Sequence, residues 1–83
     1  MMLTDADKEN IIKCAKKYNI PSVYFLNISG DVLLGVDGAD PRVFFRFYGD
    51  LSRALSAPVD VYDLAIRSVY SGIFEKEGVK IHG

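Results

Sequence analysis

The chain is poor in nearly everything that would announce a chemistry. Its single cysteine, Cys14, leaves no internal disulfide, and one histidine, His82, does not complete a structural zinc site held by one chain. Ten Lys and Arg stand against eleven Asp and Glu, a net charge of −1, so composition gives no electrostatic support to a nucleic-acid or membrane-surface role. No apolar run approaches the roughly 20 residues of a membrane-spanning helix. The opening MMLTDADKEN has neither the basic start nor the apolar stretch of a secretory leader, which predicts a soluble, cytoplasmic protein. Internal repeats, linkers and low-complexity segments are missing, and no connection is long enough to suggest a lid.

What is present is apolar sequence at regular spacing. With 83 residues, 49% of them hydrophobic, residues 1–83 are expected to form one domain near the size at which a single core just suffices. The stretch SVYFLNISGDVLLGV, from Ser22 to Val36, holds two apolar runs parted by Ser29, Gly30 and Asp31, the pattern of a β-hairpin. Its first strand, residues 23–28, is apolar on both faces apart from Asn27 and is expected at the centre of a sheet. The second runs from Asp31 to before Gly38.

Helices and shorter strands are predicted around this hairpin. Thr4, followed by Asp5 and Asp7, reads as a helix start, and Ile11, Ile12, Ala15 and Tyr18 recur at helical spacing, giving a helix from about Asp5 to Lys17. Its late lysines suit the helix dipole and need no phosphate to explain them. Asp40 and Pro41 start a second helix with Phe44, Phe47, Tyr48, Leu51, Ala54 and Leu55 inward. A third strand is expected over residues 59–62 and a third helix over residues 64–77, with Ile66, Val69, Tyr70 and Ile73 inward and Gly78 stopping it. Residues 79–81 have the pattern of a short edge strand. The result is an α/β (α+β) domain with a small mixed sheet of three to four strands, in the order helix, strand, strand, helix, strand, helix, short strand. Strands two and three, joined through a helix, are expected to be parallel.

Two acids then fall together. Side chains two apart on a strand share a face, so Asp31, Leu33 and Gly35 look one way, and parallel pairing puts Asp60 at the same end of the sheet as Asp31. An acid at position 33 would complete a metal-binding pattern, but the residue there is leucine. Asp31 beside Gly30 is also an ordinary turn residue, whereas Asp60 inside an apolar strand calls for a partner or an exposed position. Cys14 reads as a helix-flank residue, with no neighbouring His or Asn to make it a nucleophile. His82 lies in a terminal segment expected to be mobile. The strands supply almost none of the interleaved basic residues of a single-strand nucleic-acid platform. Phe45 and Phe74 fall off the inward stripes of their helices and are the candidates for facing a partner.

With this order and these flanking patterns, the chain resembles the minimal nucleotidyltransferases of the DNA polymerase beta superfamily. The residues that carry the resemblance are AKKYNIPSVYFL from Ala15 to Leu26, GDVLLGV from Gly30 to Val36, PVDVYDL from Pro58 to Leu64 and EKEGVKIHG from Glu75 to Gly83. The resemblance implies a nucleotidyltransferase-like fold, a Gly-Ser turn that holds nucleotide phosphates, and three strand carboxylates that hold magnesium. It places Asp31 at the first carboxylate and Asp60 at the third, with Leu33 at the second and Ser29 and Gly30 as the remnant of the phosphate turn. It also implies the setting of such domains in prokaryotes, often as the antitoxin-like half of a pair with a helical HEPN protein.

Two-metal phosphoryl transfer needs several anionic oxygens converging on ions about 3.5–4 Å apart. Leu33 supplies none. The expectation is therefore a non-catalytic, pseudoenzyme-like protein-binding module that pairs with a HEPN-like helical partner or with itself through Phe45 and Phe74, with no cofactor, nucleic acid or membrane partner. The competing expectation is a residual nucleotidyltransferase that uses Mg2+ and ATP, with Asp31 and Asp60 as metal ligands, to move a nucleoside monophosphate onto a protein.

Overall fold

The computed structural model describes residues 3–56 and 58–83. In chain order they form α1 (Asp5–Lys17), β1 (Ser22–Ile28), β2 (Asp31–Asp37), α2 (Pro41–Ala54), β3 (Asp60–Asp63), α3 (Val69–Glu77) and β4 (Val79–His82). The order of elements and the mixed α/β class are those predicted from the sequence. The strands make one sheet in the order β3-β2-β1-β4, so both hairpin strands are central. β1 is antiparallel to β2 and β4, and β3 is parallel to β2.

The hairpin closes in two residues. Ser29 and Gly30 have φ of 52° and 85° and join Ile28 directly to its partner Asp31. Two successive positive φ angles match the right-handed twist of the flanking strands, which is why glycine is favoured here. The Asn27 side chain accepts from the Gly30 amide at 3.3 Å and ties the turn down.

Each face of the sheet is covered by helix. On one face Val23, Leu34 and Val36 pack with Ile11 and Ala15 of α1 and Phe47 and Leu51 of α2. On the other, Leu26 and Leu33 pack with Phe74 of α3. The helix starts follow the caps expected of them. The Thr4 hydroxyl accepts from the Asp7 amide at 3.0 Å, and Asp40 accepts from the Arg42 amide at 2.8 Å, with Pro41 in the first turn of α2. Asp7, only 4% exposed, also accepts from the Ser56 amide and hydroxyl, which joins the start of α1 to the end of α2. The Ser56 amide in particular holds its carboxyl below the ordinary range.

α3 departs from expectation in start and in face. The predicted helix over residues 64–77 begins only at Val69, because the Asp63 carboxylate accepts from the Ala65 amide at 2.9 Å and the Asp63 carbonyl from the Ile66 amide, making a turn. Ser68 and Ser71 then cap the helix reciprocally. With this start Ser71 and Phe74 point inward, whereas Ile66 and Val69 are 67% and 78% exposed. The expectation that Phe74 faces outward is corrected: it is 3% exposed. Gly35 makes the room, since a Cβ there would lie 3.0 Å from both Phe74 and Leu64. Gly78 ends α3 through space rather than a left-handed turn. Its φ is −63°, and a Cβ would fall 2.6 Å from the Phe74 carbonyl oxygen.

Smaller corrections concern the ends of the chain and of β3. β3 lies one residue later than predicted, and Tyr48, expected inward, is 38% exposed. His82, expected in a mobile tail, pairs with Val23, and its Nε2 lies 3.0 Å from the Ile20 carbonyl oxygen.

Asp50 joins α1 to α2. It accepts from the Tyr18 hydroxyl at 2.5 Å, Lys17 Nζ at 2.9 Å and Arg53 Nη2 at 2.6 Å. The tyrosine hydroxyl, then the lysine, hold its carboxyl down at about 2 against an ordinary 3.8. A carboxyl harder to protonate in the folded than in the unfolded chain contributes stability above the unfolded value and loses it as pH falls toward the folded one. The thermal midpoint should therefore drop between about pH 4 and pH 2. Asp50→Asn should flatten that part of the curve, leaving the smaller slope from Asp7 and Asp40, whose carboxyls are lowered too.

Candidate functional site

The strand register brings the two predicted acids onto one face. In β2, Asp31, Leu33 and Gly35 alternate with Val32, Leu34 and Val36, and Leu34 and Val36 pack against α1 and α2. Leu33 is the direct partner of Asp60 across the parallel ladder, and Gly35 is the partner of Tyr62. Asp31, Leu33, Asp60 and Tyr62 thus look toward the α3 side. They line one cavity of about 260 Å³ together with Ile28, Ser29 and Tyr70.

Leu33 lies between the acids and is 4% exposed, packed with Leu26 and Phe74. Both carboxylates lie at the exposed rim. Among the described residues, no group of three or more His, Cys, Asp and Glu side chains is placed to hold a metal ion. The ion pairs found there, Lys17 and Arg53 with Asp50, Arg42 with Asp40 and Arg67 with Glu75, involve neither Asp31 nor Asp60. Two carboxylates about one hydrophobic side chain can draw a cation to the rim, where a magnesium ion would take most of its remaining oxygens from water.

Tyrosines form the outer wall. Tyr62 and Tyr70 stack with ring centroids 4.7 Å apart and planes 24° from parallel. Loss of hydration, then the neighbouring Tyr70 and Asp60, push the Tyr62 hydroxyl above its ordinary value. Tyr70 was expected in the core, and its place in this wall was not foreseen. The signal that could have found it is the Ser68-x-x-Ser71 spacing, which starts α3 late and turns residue 70 toward β3.

Ser29 and Gly30, expected as a phosphate-holding remnant, have their backbone conformation set by the hairpin turn. Ser29 lines the cavity. Phe45 is 75% exposed on α2, edge-on to Phe44 at 5.9 Å, as its position off the helical stripe predicted. Cys14 is half-buried at the α1 flank and its thiol is pushed up by desolvation, the opposite of an activated nucleophile. No helix among the described residues is long and apolar enough to cross a membrane. Compared with known proteins, the chain matches no protein-family model, no curated protein and no solved structure.

Proposed function

We propose that this chain is a non-catalytic, protein-binding module, a shortened relative of the minimal nucleotidyltransferases that neutralises or scaffolds a helical partner protein of the HEPN kind. The observation that carries this reading is Leu33, buried in register with Asp60 at the place where a divalent ion needs an oxygen. The two-residue turn supports it, because the span between β1 and β2 leaves no length of chain to wrap a triphosphate. Phe45 supports it from the other side: a phenylalanine exposed on a helix is a ready contact for another protein.

A residual nucleotidyltransferase is favoured by one observation, that Asp31 and Asp60 line the same cavity. One set of experiments separates the two readings. With labelled ATP, magnesium or manganese, and the helical partner, no label should reach either protein, and calorimetry should find no manganese site tighter than the millimolar range. Label transfer that disappears in Asp60→Asn would establish the enzyme instead. Phe45→Ser should leave the thermal midpoint unchanged while weakening partner binding; equal binding by the variant would remove that surface from the reading.

A further inference from the structure

The sheet has two outer strands, and they are guarded differently. β4 carries Lys80, whose ammonium lies over the Tyr24 ring at 5.7 Å, and a lysine on an edge strand is a common block against pairing with another chain. β3 has the sequence Asp-Val-Tyr-Asp and no basic residue. Its open side lies in a groove.

That groove, a cavity of about 300 Å³, is lined by Phe44, Val61, Tyr62, Ile66 and Tyr70, among others. Val61 and Tyr62 point to opposite faces of the sheet, Phe44 comes from α2 and Tyr70 from α3. A cavity touching both faces and both helical layers at once must run along the outer edge of β3. The main-chain groups there follow from the ladder. The Leu64 amide donates inward to the Val36 carbonyl, so by alternation Tyr62 also bonds toward β2 while Val61 and Asp63 turn their amides outward. The Asp63 carbonyl is taken by Ile66, which leaves the Val61 amide and carbonyl and the Asp63 amide facing the groove.

The Tyr62 and Tyr70 pair is shared between this groove and the cavity that holds Asp31 and Asp60. A strand laid along β3 would therefore have acids at both ends of its path and an aromatic wall between them. A second copy of β3 would bring further carboxylates and no cation to the seam, so charge disfavours self-pairing.

Resting on the reading of this chain as a protein-binding module, we infer that β3 accepts an extended segment of a partner protein as a fifth strand, with basic residues flanking an apolar centre. Main-chain hydrogen bonds would hold the segment, and one of its cationic side chains would reach past Tyr70 to the Asp31 and Asp60 carboxylates, where the ring faces also favour a cation.

The probe is an acetylated and amidated pentapeptide, Lys-Val-Thr-Val-Lys, with Glu-Val-Thr-Val-Glu as its opposite, each titrated into the isotope-labelled protein and followed by NMR. The basic peptide should shift the Val61 and Asp63 amides, slow their hydrogen exchange, and bind at least about tenfold more tightly than the acidic one. Asp60→Lys, at an exposed site, should weaken that preference severalfold without changing the thermal midpoint, Asp31 and Asp63 keeping their charges. Failure of both peptides to move Val61 and Asp63, equal affinity for the two, perturbation at β4 instead, or an Asp60→Lys variant that keeps the original preference at full strength would each overturn the inference. So would protection of the same amides by self-association. Label transfer from ATP tests the module reading separately, so peptides that fail to bind remove the edge site and leave that reading standing.

Discussion

Phe74→Ala is expected to cost roughly 3–5 kcal/mol of folding stability, the range for deleting a buried aromatic ring. An 83-residue chain has in all only roughly 4–12 kcal/mol to lose. The ring is 3% exposed, packs with Leu26 and Leu33, and lies 6.5 Å from Tyr62 between centroids. It is also what α3 presents to the sheet, above the space left by Gly35. Its removal should therefore loosen the whole α3 layer as well as open a cavity. Urea unfolding measures this as a large drop in the midpoint, beside a Phe45→Ser variant whose midpoint stays near that of the parent. Equal, small effects at both positions would mean that Phe74 is a surface residue after all.

Leu33→Asp tests the proposed loss of the metal site in reverse. The substitution removes a buried leucine from its contacts with Leu26 and Phe74 and places a charge in their midst, which should cost on the order of 3 kcal/mol or more at neutral pH. It also sets a third carboxylate between Asp31 and Asp60, in register with the latter. Manganese should then recover part of the lost thermal midpoint in the variant and leave the parent unchanged, because an ion that binds only the folded state stabilises it by mass action. A variant as stable as the parent would show that Leu33 is not packed as described. A parent stabilised by manganese to the same degree would show that the site works without a third acid, and would favour the enzyme reading.

Much of the fold was legible in the sequence because its strongest signals were local. Thr4 and Asp40 mark helix starts through bonds to amides three and two residues on, Pro41 does so through its fixed φ in the first turn, and the Ser29-Gly30 pair marks a turn through its own backbone. The parallel pairing of β2 and β3 followed from the helix between them, and with it the meeting of Asp31 and Asp60. What was not legible depended on distant contacts. Ile66, Val69 and Tyr70 have helical spacing with Ile73, but the Asp63 turn takes residues 64–67 out of the helix. The inward position then passes to Phe74, because Gly35, far away in the chain, leaves a hole of the right shape. Nothing local in the sequence marks Asp50, and only folding brings Tyr18 and Lys17 together on it.

The tight link between β1 and β2 bears on how the molecule comes to be folded. Ile28 and Asp31 are neighbours in the sheet and nearly neighbours in the chain, so bringing them together costs little loop entropy, and hairpins of this kind close in about 1–10 μs. β3 and β4, arriving from later in the sequence, then have a two-stranded template to dock on. The two-residue turn therefore favours early pairing of β1 with β2: lengthening it with a flexible insert should slow refolding.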